Sequence, residues 1–466
     1  MLIKFDNTYK RLPKEFYSEQ LPKKVNKPKV FCFNYDLAKN LDIEMEDESK
    51  LADYFSGNEL INGSEPISQA YAGHQFGYFT MLGDGRAVLL GECLNKKNQR
   101  FDIQLKASGS TPYSRGGDGR GTFSAMLREY LISEAMHNLK IETTRSLAVV
   151  LTGQKVYRED IHEGAVLTRV AKSHIRVGTF EYAKEYLSVD KLQTLLDYTI
   201  NREYPHLIDS KNRALDFLKE VMDRQIKLIV DWMRVGFIHG VMNTDNMSIS
   251  CETIDYGPCA FMNSYNPSTV FSSIDRHGRY SYKNQPIIAR WNISILANSL
   301  KPLIDKDEAK AFELIKELLD SFMPKYSSLY YSMMLKKIGI EDGDDYKFVD
   351  DLLEIMSKYE LDYTNIFAML GFDDESFILD LKIDDLTNWF NIWKLKVKDT
   401  QKAKSIMRNY NPIVIPRNHL VEEALISSSI FFELLKELKN PYDYTNQKLQ
   451  IVPKNHDKTF KTFCGT

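Results

Sequence analysis

The stretch HGVMNTDNMSISCETIDYG, His239 to Gly257, decides how this chain is read. It sets two carboxylates and an amide in a short span: Asp245 and Asn246 are adjacent, and Asp255 follows with Tyr256 and Gly257 directly after it. A divalent cation on a nucleoside triphosphate takes hard oxygen ligands, one or two from carboxylates and the rest from phosphates and water. Protein kinases supply them from a catalytic-loop Asn and the Asp of an Asp-Phe-Gly turn, after a His-Arg-Asp. Asn246 suits the first part, and Asp255-Tyr256-Gly257 suits the second, with Tyr for Phe. Asn-Thr-Asp-Asn alone reads as a turn. The Asp-Tyr-Gly that follows at hairpin distance favours the nucleotide reading.

The match has a gap. Counting back from Asn246 by the kinase spacing lands on Val241, and an apolar side chain cannot accept a proton from a hydroxyl. An acid stands nearby at Asp245, on the other side of that gap. The stretch is suited to hold metal and nucleotide but is not arranged for ordinary kinase chemistry.

The chain has 466 residues, enough for two or three domains with a large core. Lys plus Arg is 61 against 64 Asp plus Glu, a net charge of -3 that offers no support for nucleic acid or a membrane as main partner. Any phosphate-binding patch must then be local. Cys32, Cys93, Cys251, Cys259 and Cys464 are scattered without metal-ligand spacing and suit a reducing compartment. The N-terminal MLIKFDNTYKRLPKEFY lacks an apolar signal core, and no run approaches a membrane span, so a cytoplasmic protein is expected.

Upstream, LGDGR (Leu82 to Arg86) is a Gly-rich turn feeding the apolar strand Ala87 to Leu90. Gly83 and Gly85 let backbone approach a phosphate, and Arg86 adds a cation that a plain hairpin does not require. The next strand alternates: Phe101, Ile103 and Leu105 on one face, Asp102, Gln104 and Lys106 on the other. Lys106 ends it, where a kinase strand Lys reaches phosphates; a solvent-facing Lys is the plainer alternative. The loop SGSTPYSRGGDGRG, Ser108 to Gly121, reads as a phosphate cradle or a surface linker. A helix is expected over 122–139, capped by Thr122 or Ser124 and carrying Glu129 and Glu134. A Glu on the helix after a strand Lys orients that Lys in kinases.

Three or four β segments are expected between Thr144 and Glu181, bringing Arg169 and Arg176 to a local anion site, with surface ion pairs as the plainer alternative. QAYAGHQFG (Gln69 to Gly77) carries one His, to which no chemistry is assigned. Residues 185–235 read as helical, with Leu218, Met222, Ile226, Ile229, Val230 and Met233 as one stripe ending at Gly236. Pro286 to Leu438 is mostly helical in spacing and carries no legible motif.

Together these residues resemble the selenoprotein O family. The motifs that carry the resemblance are GDGRAVLLGE, QLKASGSTPYSRGGDGR, REYLISEAMH, LTRVAKSHIRVGTFE and HGVMNTDNMSI…TIDYGP, in that order. The resemblance implies an α+β, protein-kinase-like bilobal fold that lacks the usual base and transfers AMP to proteins. The divisions are a 1–65 N-terminal extension, a 66–185 N-lobe, a 186–290 C-lobe, and a 291–466 helical region. It implies ATP bound inverted relative to a kinase, with the α-phosphate facing a Ser, Thr or Tyr hydroxyl of a protein substrate. UTP as a second donor stays open. By matching position, Gly83, Gly85 and Arg86 line the nucleotide site. Lys106, Asp118, Gly119, Arg169, Arg176 and Asp255 hold phosphates or nucleotide, with Glu129 paired to Lys106. Asn246 and Asp255 ligate Mg2+ or Mn2+, and Asp245 is the proton acceptor. A monomer is expected. Relatives carry a Cys or selenocysteine near the C-terminus, here Cys464, and some pair it with a Cys in the loop after Asp-Tyr-Gly. Val270-Phe271-Ser272-Ser273 has none, so an essential bridge is not expected. A kinase and a non-catalytic nucleotide-binding regulator remain the alternatives.

Overall fold

Both edges of the main sheet come from residues 1–65, so this segment is built into the first lobe. A computed structural model describes residues 3–44, 46–445, 447–453 and 456–463. The strands are β1 (Tyr17–Glu19), β2 (Lys29–Phe33), β3 (Ile67–Gln69), β4 (Ala72–Gln75), β5 (Tyr78–Met81), β6 (Ala87–Leu94), β7 (Arg100–Lys106), β8 (Gly121–Thr122), β9 (Arg145–Tyr157), β10 (Ile161–Ala171), β11 (Phe237–Ile238) and β12 (Ala260–Phe261). The large sheet runs β1-β3-β6-β7-β10-β9-β2, with β8 on β10; β4 pairs only with β5, and β11 with β12.

The alternation expected in β7 is real, but from Asp102 onward neither face meets water. Ile103 and Leu105 pack into a core with Leu37 of α1 (Tyr35–Asn40) and Leu51 and Phe55 of α2 (Glu48–Ser56). Full burial of each such side chain is worth about 1.5–3 kcal/mol. Asp102, Gln104 and Lys106 are buried too, because each finds a polar partner on the other face. Asp102 accepts from Arg202 Nη2 at 2.6 Å and lies 2.9 Å from His174 Nδ1. Register sets Gln104 opposite Arg169 and Lys106 opposite Leu167, so Lys106 and Arg169 are diagonal neighbours on one face.

Between Thr144 and Ala171 the chain forms two long strands, fewer than expected. Thr152-Gly153 does not end β9: Gly153 takes φ 66° and a bulge in β10 between Glu163 and Ala165 absorbs the bend. Arg176 leaves the sheet and stands at the N-cap of α4 (Val177–Tyr186). Helix α3 (Phe123–Asn138) begins where expected, with Thr122 Oγ1 accepting from Ala125 N at 3.3 Å.

The second lobe is helical. It holds α5 (Val189–Glu203), α6 (Arg213–Val235) and α7 (Gln285–Ile304), and further helices continue from Glu308 to Glu437. All six stripe residues of α6 are buried, and Gly236 ends the helix in the left-handed region at φ 72°. Among the described residues no helix is long and apolar enough to cross a membrane.

The tail returns to the segment after Asp-Tyr-Gly. Asp457 accepts the backbone N–H of Asn263 and Ser264 at 2.8 and 3.1 Å. Thr462 exchanges backbone bonds with Phe271 and Ser273, each 2.9 Å. Cys464 lies outside the described residues; Cys32, Cys93, Cys251 and Cys259 are buried free thiols.

Candidate nucleotide-binding site

A cavity of about 450 Å3 lies between the sheet lobe and the helical lobe. Gly83, Gly85, Arg86, Lys106, Asp118, Gly119, Arg169, Arg176, Asp245, Asn246 and Asp255 all line it, although they are spread over more than a third of the chain. Its walls also carry Arg115, Arg120 and Arg158. That makes seven basic side chains against the acids Asp84, Asp118, Asp245 and Asp255. In a chain of net charge -3 this is a local concentration of positive charge, the form that any phosphate-binding patch here has to take.

Asp255 is the centre of the charge network. Its Oδ1 accepts from Lys106 Nζ at 2.7 Å and Arg169 Nη2 at 2.6 Å, and its Oδ2 accepts from Arg176 Nη1 at 3.1 Å. Burial opposes the charge, but Arg169, Lys106 and Arg176 outweigh it and hold the carboxyl well below the usual range. The backbone is left-handed at φ 65°, an uncommon state for Asp that functional sites hold by surrounding contacts. Glu129 stands behind the cavity wall. It accepts from Lys106 Nζ at 2.5 Å and from Arg169 Nε and Nη2 at 2.9 and 2.6 Å. The expected Lys106–Glu129 pair is present. Arg169, with Glu129, Asp255 and Gln104 around it, ties the helix to the Asp-Tyr-Gly turn.

Asn246 lies across from this network, its Nδ2 donating to Val241 O at 3.0 Å. That bond turns the amide nitrogen to the protein and leaves its oxygen as a donor atom for a ligand. Among the described residues no group of three His, Cys, Asp or Glu side chains gathers as a metal site. Two oxygen-bearing side chains on a phosphate-sized cavity fit a hard cation whose other ligands come from phosphates and water.

Asp245 stands outside these ion pairs, with the Gln75 side chain beside it. It is buried, and its Oδ1 has no hydrogen-bond partner. Burial outweighs the nearby Arg176 and pushes its carboxyl up to about 6. Val241 lines the same cavity and offers no acceptor. His239 is structural: its Nε2–H donates to Ile254 O at 2.9 Å and its ring stacks on Trp232, tying the two halves of the stretch together.

The β4–β5 hairpin, to which no chemistry was assigned, covers this loop. His74 N donates to Thr244 Oγ1 at 2.7 Å, and Phe76 N to Asn243 Oδ1 at 3.1 Å. Phe76 and Gly77 form its two-residue turn with φ 51° and 92°, a geometry that Asn-Gly normally signals. The Phe76 ring packs on Tyr280, 5.1 Å between centroids, which helps hold the strained residue. His74 is not a bare surface His: its Nδ1 lies 2.6 Å from Glu181 Oε2.

At the rim, Asp118 receives both Arg158 nitrogens at 3.0 Å, a partner that no sequence motif announced. Gly119 is required by space: a Cβ there would stand 2.1 Å from the Gly109 carbonyl. Gly83 likewise lies against the Tyr113 ring, 2.4 Å from a built Cβ. Arg176 lies over Tyr71, 4.6 Å from the ring centroid, and donates to Asp245 O at 2.7 Å.

Comparison with known proteins identifies the family. Residues 1–442 match the family model described as protein adenylyltransferase SelO. The protein named protein nucleotidyltransferase YdiU from Pelagibacter ubique is 51% identical, covering 99% of each chain. Its namesake from Clostridium botulinum is 48% identical over 100% of this chain and 98% of its own. Among solved structures, ROP2 from Toxoplasma gondii, described as having a protein-kinase fold and no enzymatic activity, is 9% identical. It covers 71% of this chain and 88% of its own, with a TM-score of 0.27. By the family match over nearly its whole length, the chain belongs to the SelO family.

Proposed function

We propose that the chain transfers AMP from ATP to a Ser, Thr or Tyr hydroxyl of a protein and releases pyrophosphate. The observation that carries this is the buried carboxylate of Asp245 on the wall of a cavity where the kinase base position is Val241. Membership of a family described as protein adenylyltransferases supports it.

Asn246 and Asp255 would hold Mg2+ or Mn2+, which supplies charge neutralisation on the phosphates when bound. Lys106, Arg176 and the rim arginines Arg86, Arg115 and Arg120 hold the triphosphate, since such catalysis is mostly positioning and electrostatics. Arg158 fixes Asp118 at the rim. With the nucleotide inverted, the acceptor hydroxyl arrives beside Asp245. Asp245 takes its proton, the hydroxyl oxygen bonds to the α-phosphorus, and the bond to the bridging oxygen of pyrophosphate breaks. A carboxyl near 6 is ionised at neutral pH yet basic enough to accept a proton. The four buried free thiols favour a reducing cytoplasm as the setting.

The test is label transfer. Label from α-phosphate-labelled ATP should enter protein, while γ label leaves with pyrophosphate. Asp245→Asn should slow transfer about 10²-fold or more with nucleotide affinity kept. Entry of γ label without α label would establish the kinase reading instead.

A further inference from the structure

A second groove opens beside the nucleotide cavity and shares Phe76 and Ile274 with it. It measures about 710 Å3 and lies between the tip of the β4–β5 hairpin, the segment 274–279 and the start of α7. Tyr78, Ile274 and Ile287 on its walls are 79%, 50% and 56% exposed. Single exposed apolar side chains are ordinary, but three around one groove mark a contact surface.

The charge of the groove is one-sided. Arg276 and His277 are exposed and have no carboxylate partner among the described residues. Arg279 lies over the Trp291 ring, 4.7 Å from its centroid, and its buried Nε has no hydrogen-bond partner. The one acid, Asp275, is buried and turned to the backbone, accepting from Arg279 N and Tyr280 N at 2.9 and 2.8 Å. The groove is also joined to the chemistry. Phe76 donates from its backbone to Asn243 in the catalytic loop, and Tyr280 OH donates to the same side-chain oxygen at 2.7 Å.

We infer that this groove seats an extended segment of the acceptor protein, in which an acidic and an apolar side chain flank the modified hydroxyl. The inference rests on the AMP-transfer reading above. A carboxylate on the segment meets Arg276, His277 and Arg279. An apolar neighbour lies against Tyr78, Ile274 and Ile287. The hydroxyl residue then reaches toward Asp245 past Phe76. The groove thus selects which hydroxyl is modified, while the nucleotide cavity selects the donor.

Two peptide series test it, each with a central Ser, Thr or Tyr and a flanking Leu, one with Asp beside it and one with Lys. The full chain with α-labelled ATP should favour the Asp series in kcat/KM by about tenfold, the scale of one hydrogen bond to a charged group. The double variant Arg276→Glu, His277→Glu, at two exposed positions, should reverse that order through KM and leave Mg·ATP affinity unchanged by calorimetry. Equal labelling of the two series overturns the groove assignment and leaves the transfer reading standing. So does labelling of proteins with neither series, or a double variant with unchanged preference. Loss of ATP affinity in that variant also overturns it, since those residues would then serve the donor. No α label in any acceptor overturns both readings.

Discussion

A Cβ on Gly73 would stand 2.8 Å from Asp245 Oδ1, so the hairpin backbone passes over the carboxylate in direct contact. The same Cβ would be 2.9 Å from Asp245 Cβ and 3.1 Å from its backbone nitrogen. Neither neighbour can give way: the hairpin is pinned to Thr244 and Asn243, and Asp245 is held by its loop. Gly73→Ala should therefore displace the carboxylate and slow AMP transfer by about 10²-fold, the scale of a misplaced reacting group. Mg·ATP affinity should hold, because Lys106, Arg176 and Asp255 are untouched. Full activity in Gly73→Ala would show that the Asp245 position is not critical.

Asp255 neutralises three buried cations at once. Asp255→Asn takes from Lys106, Arg169 and Arg176 the carboxylate they share, leaving Glu129, Asp84, Asp245 and the Gln104 amide oxygen nearby. Breaking a buried pair from one side costs about 3 kcal/mol or more. The variant should unfold at lower urea concentration and lose Mg2+-dependent ATP affinity together. Unchanged Mg·ATP binding by calorimetry would move the metal site elsewhere.

Glu252 sets a pH dependence of stability. It is buried, its Oε2 accepts from Lys172 N at 2.8 Å and Ser250 Oγ at 2.9 Å, and burial pushes its carboxyl up to about 8. Unfolded, it ionises in the ordinary range near 4.3. Folding therefore takes up a proton between those values, and stability from this group falls as pH rises, by about 1.4 kcal/mol per unit, levelling off above the folded value. Glu252→Gln keeps an oxygen for both donors and removes the titration. Urea melts from pH 5 to 8 should show a flatter slope in the variant than in the parent; parallel slopes would refute this.

The tail clamps the segment after Asp-Tyr-Gly. Asp457 accepts from two backbone N–H groups and from Asn263 Nδ2 at 2.6 Å. Asp457→Ala leaves partly buried donors without a partner, a cost of about 1–3 kcal/mol. Urea unfolding should record that loss. Faster proteolysis between residues 258 and 275 should accompany it. A variant as stable and as resistant as the parent would show that the tail merely rests there.

The parts legible in the sequence are those whose chemistry is local. Asn246, Asp255, Lys106 and Glu129 could be named because a turn, a strand end and a helix face each announce themselves within a few residues, and Thr122 and Gly236 mark helix ends by the same local rule. Val241 was informative as a residue that cannot do what its position requires. The rest depended on groups far apart in the chain. Whether the polar face of β7 meets water or protein turns on Arg202, His174 and Arg169, none of which its own alternation can register. The hairpin over Asp245 carries no local signal, because Phe76 holds a left-handed turn through Asn243 and Tyr280 and not through Asn-Gly chemistry. Arg158 met Asp118 only because the β9–β10 turn folds back over the Gly-rich loop. Local period and turn chemistry are written residue by residue, so the sequence alone named the candidate ligand residues. Burial, pairing and the raised proton affinity of Asp245 are sums over neighbours that only tertiary packing brings within reach.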